Sequence, residues 1–257
     1  MASLSSAEQL KPETTTAFGH YVQLSEQRMT NELHSGVFLQ IDGLAPQERE
    51  ANYARLKNGE VITSRLETLD RGRTIPVPGG LVHHWIGTIF LPGATLTRTL
   101  AFLQDYDNQY KFYSPDVQRS RVIRRDGNDF KVFLRLRKHK VITVILNTEY
   151  DVKYIPLRAD RAASCSYSTR IAEIENAGTS EEAERPVGND SGFLWRLNSY
   201  WRFLERDGGV YVQLEAISLT RDIPTGLRWL ISPFITSIPK ESLVFTLTRT
   251  REQLGKV

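Results

Sequence analysis

The sequence predicts an α+β protein: a curved antiparallel sheet, a helical C-terminus lying across it, and an N-terminal α/β extension. Three observations carry this. Residues 117–220 fall into six alternating segments separated by turn residues. A helical apolar spacing covers residues 13–34. Near the C-terminus stands "RDIPTGLRWLISPFITSIPKESL" (221–243), rich in large apolar side chains, low in charge between its ends and broken by three prolines.

In chain order, Pro12 precedes a helix on which Phe18, Val22, Leu24, Met29 and Leu33 recur. "GVFLQIDGL" (36–44) reads as a short strand, "APQEREANYARLKNG" (45–59) as a helix stopped by Gly59, and "EVITSRLETL" (60–69) as another strand. "PVPGG" at 76–80 is a break, and a boundary there separates an extension (1–79) from a main domain (80–257). The main domain opens with "LVHHWIGTIFLPG" as a strand. A helix over 94–113 follows, with Leu96, Leu100 and Leu103 on one face and Thr95 or Thr97 as cap.

Strands are then expected at 117–126, 129–138, 141–154, 162–174, 194–206 and 209–220, with Asp126–Gly127–Asn128, Asp160–Arg161 and Asp207–Gly208–Gly209 in the turns. Residues 173–192 read as a loose acidic insertion. Pro224 and Pro239 each suit the first position of a helix, so the C-terminal stretch is expected as two helical segments.

Alternation assigns the two faces of the sheet. Ile142, Val144, Leu146, Tyr150, Val152 and Tyr154 share one face. If Arg206 pairs with Gly209, Leu197, Trp201, Phe203, Val212, Leu214 and Ala216 share it too, while Tyr200, Arg202, Gln213 and Glu215 point to the other. One face is thus expected apolar and the other wet. The apolar face needs a cover, and the C-terminal stretch, with Leu227, Trp229, Leu230, Ile231, Phe234, Ile235 and Ile238, is the one available.

The order strand, helix "LAFLQDYDNQYKFYSPDV", hairpin "SRVIRRDGNDFKVFLRL", further strands and closing helix resembles the START-like superfamily. That group includes the major birch pollen allergen, polyketide cyclases, coenzyme Q-binding proteins and lipid-transfer domains. "DYDNQYKFYSPDVQRSRVI" is most similar to the cyclase and coenzyme Q-binding branch. The resemblance covers about residues 80–254 and leaves 1–79 without a counterpart. It implies a helix-grip fold, the sheet wrapped around a long C-terminal helix with an apolar cavity between. Fold alone does not give function. On this reading Tyr150, Tyr154, Tyr167, Trp201, Leu214, Trp229 and Phe234 line a ligand site, and segment 222–238 is a lid that shifts for access.

Composition is that of an ordinary globular chain: 257 residues, 40% hydrophobic, 25% charged, net charge +3. That charge is too small to make nucleic acid the main partner. The single cysteine, Cys165, excludes an internal disulfide framework and a cysteine metal site; it reads as a small buried or cavity-wall residue. His83 and His84 are adjacent, so in a strand they point to opposite faces and cannot share an ion; no metal or cofactor is expected. There is no G-x-S-x-G elbow and no phosphate loop.

No apolar run reaches the ~18 residues of a membrane span, and the N-terminus shows no signal peptide. The compartment stays open between the cytoplasm and export with loss of a leader. Residues 119–140 hold nine basic side chains against two acidic, a net of +7, whereas the chain carries +3 and the remainder therefore −4. That segment is either an anionic-surface contact or the solvated side of a hairpin.

Three functional classes follow. The leading one binds or transports a hydrophobic small molecule (a lipid, a quinone or a polyketide-like ring). The second is a cyclase or aromatase using the same cavity, which needs an acid or base inside it. The third is an interaction module whose cavity is filled or vestigial.

Overall fold

The computed structural model describes residues 8–140, 142–222 and 228–255, the last group by backbone alone as far as 236. The N-terminal part comprises β1 (Glu8–Gln9), α1 (Pro12–His34), a 3-10 turn (Gln40–Gly43), α2 (Pro46–Lys57), β2 (Ile62–Arg65), β3 (Leu69–Asp70) and β4 (Arg73–Thr74). After β5 (Gly80–Pro92) come α3 (Leu96–Gln104), a 3-10 turn at Tyr106–Asn108 and α4 (Gln109–Phe112). The remaining strands are β6 (Val117–Asp126), β7 (Asp129–His139), β8 (Thr143–Arg158), β9 (Arg161–Glu175), β10 (Ala183–Glu184), β11 (Asn189–Asp190), β12 (Arg196–Arg206) and β13 (Gly209–Arg221), before α5 (Arg228–Leu254).

One nine-stranded antiparallel sheet runs β2-β5-β13-β12-β9-β8-β7-β6, with β10 added beside β9. The six long strands of 117–220 lie close to where the turn residues put them. Arg206 does pair with Gly209. The β12–β13 turn needs left-handed backbone at Asp207 (φ 59°) and Gly208 (φ 74°), which an Asp-Gly pair tolerates.

α5 lies across the inner face, chiefly over β5. Its approach is close because Gly87 has no side chain: a Cβ there would sit 2.5 Å from Leu243 and 2.7 Å from Leu247. Leu243, Leu247 and Leu254 join Ile89, Leu91, Phe203, Val212 and Leu214 in the largest core cluster. This is the curved sheet gripping a long terminal helix that the sequence predicts.

The outer face departs from expectation. Tyr200, Arg202, Gln213 and Glu215 are buried, Arg202 5% and Glu215 2% exposed, because the N-terminal extension covers them. Phe18, Tyr21, Val22 and Met29 of α1 pack on Trp195, Tyr200, Ile217 and Leu219. Leu33, expected on the packed side, is instead exposed.

Burying polar groups costs energy unless each finds a partner, and here they do. Arg202 donates to the carbonyls of Phe38 and Met29 and pairs with Glu32 at 3.0 Å. Gln213 accepts from the Gln40 amide at 2.6 Å. Glu215 accepts from His84 Nε2 at 2.6 Å and from Arg28. The Tyr21 hydroxyl accepts from the Thr68 amide at 2.9 Å and meets His84 Nδ1 at 3.0 Å, so Tyr21, His84 and Glu215 form one buried chain.

Three further expectations change. Residues 36–44 hold no strand but a 3-10 turn at Gln40–Gly43: the Asp42 carboxylate accepts from the Leu39 amide at 2.8 Å and folds the segment back, so Phe38, Leu39 and Ile41 enter a cluster with Leu56, Phe90 and Tyr211. The helix of 94–113 breaks at Asp105, whose carboxylate accepts from Asn108 and turns the chain; Thr95 is its cap, accepting from the Arg98 amide at 3.2 Å. The C-terminal stretch is one helix from Arg228 to Leu254, running through Pro233 and Pro239. Packing of its later turns outweighs the missing amide donors. Pro224 lies outside the described residues. Within 173–192, β10 pairs with β9 and β11 with β1, and buried Asp190 accepts from Trp195 Nε1 at 3.0 Å, so the insertion is tied down at these points.

Candidate functional site: an apolar cavity under the terminal helix

Between the inner sheet face and α5 lies a cavity of about 320 Å³, within the size range of small-molecule sites, ~300–1,000 Å³. Its walls come from β5, β7, β8, β9, β12 and β13, from the α3–α4 region, and from Ile238, Pro239, Leu243 and Phe245 of α5. Even-numbered residues of β8 (Val144, Leu146, Tyr150, Val152, Tyr154) and odd-numbered ones of β12 (Leu197, Ser199, Trp201) point inward, as strand alternation requires.

Of the residues singled out from the sequence, Tyr150, Tyr154, Trp201 and Leu214 converge on this lining. Trp229 and Phe234 carry side chains outside the described residues, as does most of the lid segment 222–238. Tyr167 is not in the lining. It is 37% exposed, stacks edge-on against Tyr200, and donates to Glu26 of α1 at 2.7 Å on the outer side of the sheet.

The reason is register. A two-residue turn at Asp160–Arg161 would set Tyr154 opposite residue 167. The turn is instead Ala159–Asp160, and an irregularity between Pro156 and Arg158 leaves Tyr154 opposite Ser164. An odd shift exchanges the faces of a strand. Ser164 and Ser166 therefore line the cavity, while Cys165 packs behind the sheet near Tyr200, its thiol pushed up by burial.

Polar groups are set into this mainly apolar lining. Tyr106 and Tyr154 join hydroxyls at 3.0 Å, and Tyr113 meets Thr250 of α5 at 2.9 Å. Burial pushes Tyr106 up to about 12 and raises Tyr113 and Tyr154 well above the usual phenol range. Asp116 and Lys138 form an ion pair in the wall. Tyr150 is 4% exposed; its hydroxyl makes no hydrogen bond of ordinary geometry among the described residues, and desolvation, opposed in part by the nearby Thr148 hydroxyl, pushes it up to about 12. His83, beside the cavity, meets Thr220 Oγ1 at 3.0 Å, and burial followed by the Arg65 charge lowers it to about 4.

Sequence reading missed Tyr106, Tyr113, the Asp116–Lys138 pair and the inward serines. The signal for the serines is the run of small residues in "RAASCSYS", which leaves room wherever it faces a cavity. Among the described residues, no cluster of three or more His, Cys, Asp or Glu could hold a metal ion, and no helix is long and apolar enough to cross a membrane.

No family model matches the sequence, and no curated protein matches it. Solved structures do. The chain is similar to the Zhui aromatase/cyclase from Streptomyces sp. R1128 (11% identity, 68% of this chain and 94% of that one, TM-score 0.49). It is also similar to a STAR-related lipid transfer protein fragment from Xanthomonas axonopodis (16%, 75% and 98%, TM-score 0.45). A third is the lipid transfer and protein localization domain of human StarD13 (7%, 83% and 99%, TM-score 0.45). The chain's own strand order and the seat of α5 across the inner face make it a helix-grip arrangement.

Proposed function

We propose that this protein binds a hydrophobic small molecule, of the lipid, quinone or polyketide-like kind, in the cavity under α5. The observation that supports it most is the cavity itself. It lies between a sheet face and a helix that would otherwise meet, its walls are mainly aliphatic and aromatic, and its size suits such a molecule. Apolar burial would drive binding, at roughly 25 cal/mol per Å² removed from water.

Native mass spectrometry of freshly purified protein is expected to show a co-purifying lipophile. Stripped protein is expected to bind members of a lipid and quinone panel saturably; no saturable binding across that panel overturns the reading.

A cyclase-type activity is the second reading, supported by ionisable side chains, Asp116 and Lys138, in the wall. They face each other, so neither is free to act as acid or base in this arrangement, and the buried tyrosines are poor bases at neutral pH. A carrier is the better fit.

Outside the cavity, the 119–140 hairpin presents Arg119, Arg121 and Arg124 on the exposed edge strand β6, and we infer a weak contact there with anionic surfaces. Other charges of the run are paired within the chain: Lys131 with Glu149, Arg135 with Glu182, Lys138 with Asp116 and Lys140 with Glu241. Sedimentation with phosphatidylserine vesicles, absent with phosphatidylcholine vesicles, is the expected result.

A further inference from the structure

The cavity floor carries more hydrogen-bonding capacity than the protein uses. Ser164 and Ser166 on β9, Ser199 on β12 and Ser218 on β13 all line it. None of their hydroxyls is hydrogen-bonded within the described residues, while Ser168, one step along β9, accepts from the Leu197 amide at 2.9 Å.

Ser166 stands directly opposite Ser199, and directly opposed side chains have Cβ atoms about 4.5–5.5 Å apart. Ser199 is in turn opposite Ala216, which places Ser218 diagonally beyond it. The four hydroxyls thus form a strip across three neighbouring strands. At its β8 side stands Tyr150, opposite Ser168; its buried hydroxyl makes no well-formed hydrogen bond, since its neighbour Thr148 already donates to the Leu134 carbonyl. An orphaned buried hydroxyl is uncommon in native proteins and calls for a partner. The serines alone would be no more than small side chains; with Tyr150 they make a surface with a polar side.

We propose that Tyr150, Ser164, Ser166, Ser199 and Ser218 form a recognition strip selecting a neutral ligand with hydrogen-bonding oxygens along one side of an apolar skeleton. This rests on the reading that the cavity takes an apolar small molecule, and sharpens it. Hydroxyls both donate and accept, so they match carbonyl and hydroxyl oxygens alike. The ligand is neutral because Asp116 and Lys138 in the wall already balance each other. A plain hydrocarbon chain would leave the whole strip unsatisfied.

The test compares naphthalene with 2,6-dihydroxynaphthalene, titrated into the stripped full-length protein and followed by probe fluorescence. The two share a skeleton. An all-apolar cavity favours naphthalene, because the diol gives up its bonds to water; the strip favours the diol, by about tenfold or more when two bonds are made. Combining Tyr150→Phe, Ser166→Ala and Ser199→Ala is expected to remove that preference while changing naphthalene affinity less than about threefold. Tyr150→Phe and Ser166→Ala singly, each near-isosteric, are expected to give part of the loss with unchanged thermal unfolding.

Diol binding no tighter than naphthalene, or a preference that survives the triple substitution, overturns the strip but leaves the apolar-ligand reading standing. Failure of both probes to bind overturns the two together.

Discussion

Arg202 shows how much a single buried side chain ties together. It reaches from β12 to two carbonyls and to Glu32 of the covering helix. Removing one member of a buried charged set leaves the rest unpaired, at a cost of about 3–5 kcal/mol. Arg202→Ala is expected to lower the unfolding free energy measured in urea by that order, and Arg202→Lys to recover only part of it, because an ammonium cannot reproduce the fork of donors. His83 gives a pH dependence. Its folded-state value, about 4, lies below its ordinary 6.5, so between those values the unfolded chain holds a proton that the folded chain refuses. Stability from this group is complete above pH 6.5 and is lost as pH falls towards 4. Unfolding midpoints measured from pH 8 to 4 are expected to decline in that window, and less steeply for His83→Gln.

At the scale of elements, the hairpins were legible and one register was not. Asp-Gly pairs at 126–127 and 207–208 leave little choice about where the strands turn, and the β12–β13 faces follow from the Arg206–Gly209 pairing. The β8–β9 hairpin lacks such a turn, and its irregularity near Leu157 exchanges the faces of β9, so that plain alternation puts Tyr167 inside and the serines outside, the reverse of what the structure has. Residues 36–44 misled because Val37, Leu39 and Ile41 alternate like a strand, while Asp42 bends the backbone through its own carboxylate. The seating of α5 rests on Gly87. Gly87→Ala puts a methyl group into Leu243 and Leu247, and overpacking of this kind costs about 1–3 kcal/mol. A lowered melting temperature and a changed affinity for any cavity ligand are expected together, since the same helix roofs the cavity.

The whole molecule hides its least legible feature on the outer face. Arg202, Gln213 and Glu215 read as solvent-facing because nothing in their own strands says what covers them; their partners lie some 170–190 positions earlier, in α1 and the turn after it. The extension is therefore part of the sheet's packing. Deleting residues 1–79 is expected to give a chain that fails to fold cooperatively, with exposed apolar surface detectable by dye binding and loss of a sharp thermal transition. A truncated chain that melts cooperatively and keeps its ligand would show the extension to be dispensable.

That long reach also sets a timetable for synthesis. Arg28 is made 187 positions before Glu215, and β5 likewise waits for β13, the partner strand on its other side from β2. At ribosomal speeds of ~5–20 residues per second the greasy side of α1 stands without its seat for on the order of ten seconds or more. Newborn chains of this protein should therefore depend on holding chaperones until the last strand emerges.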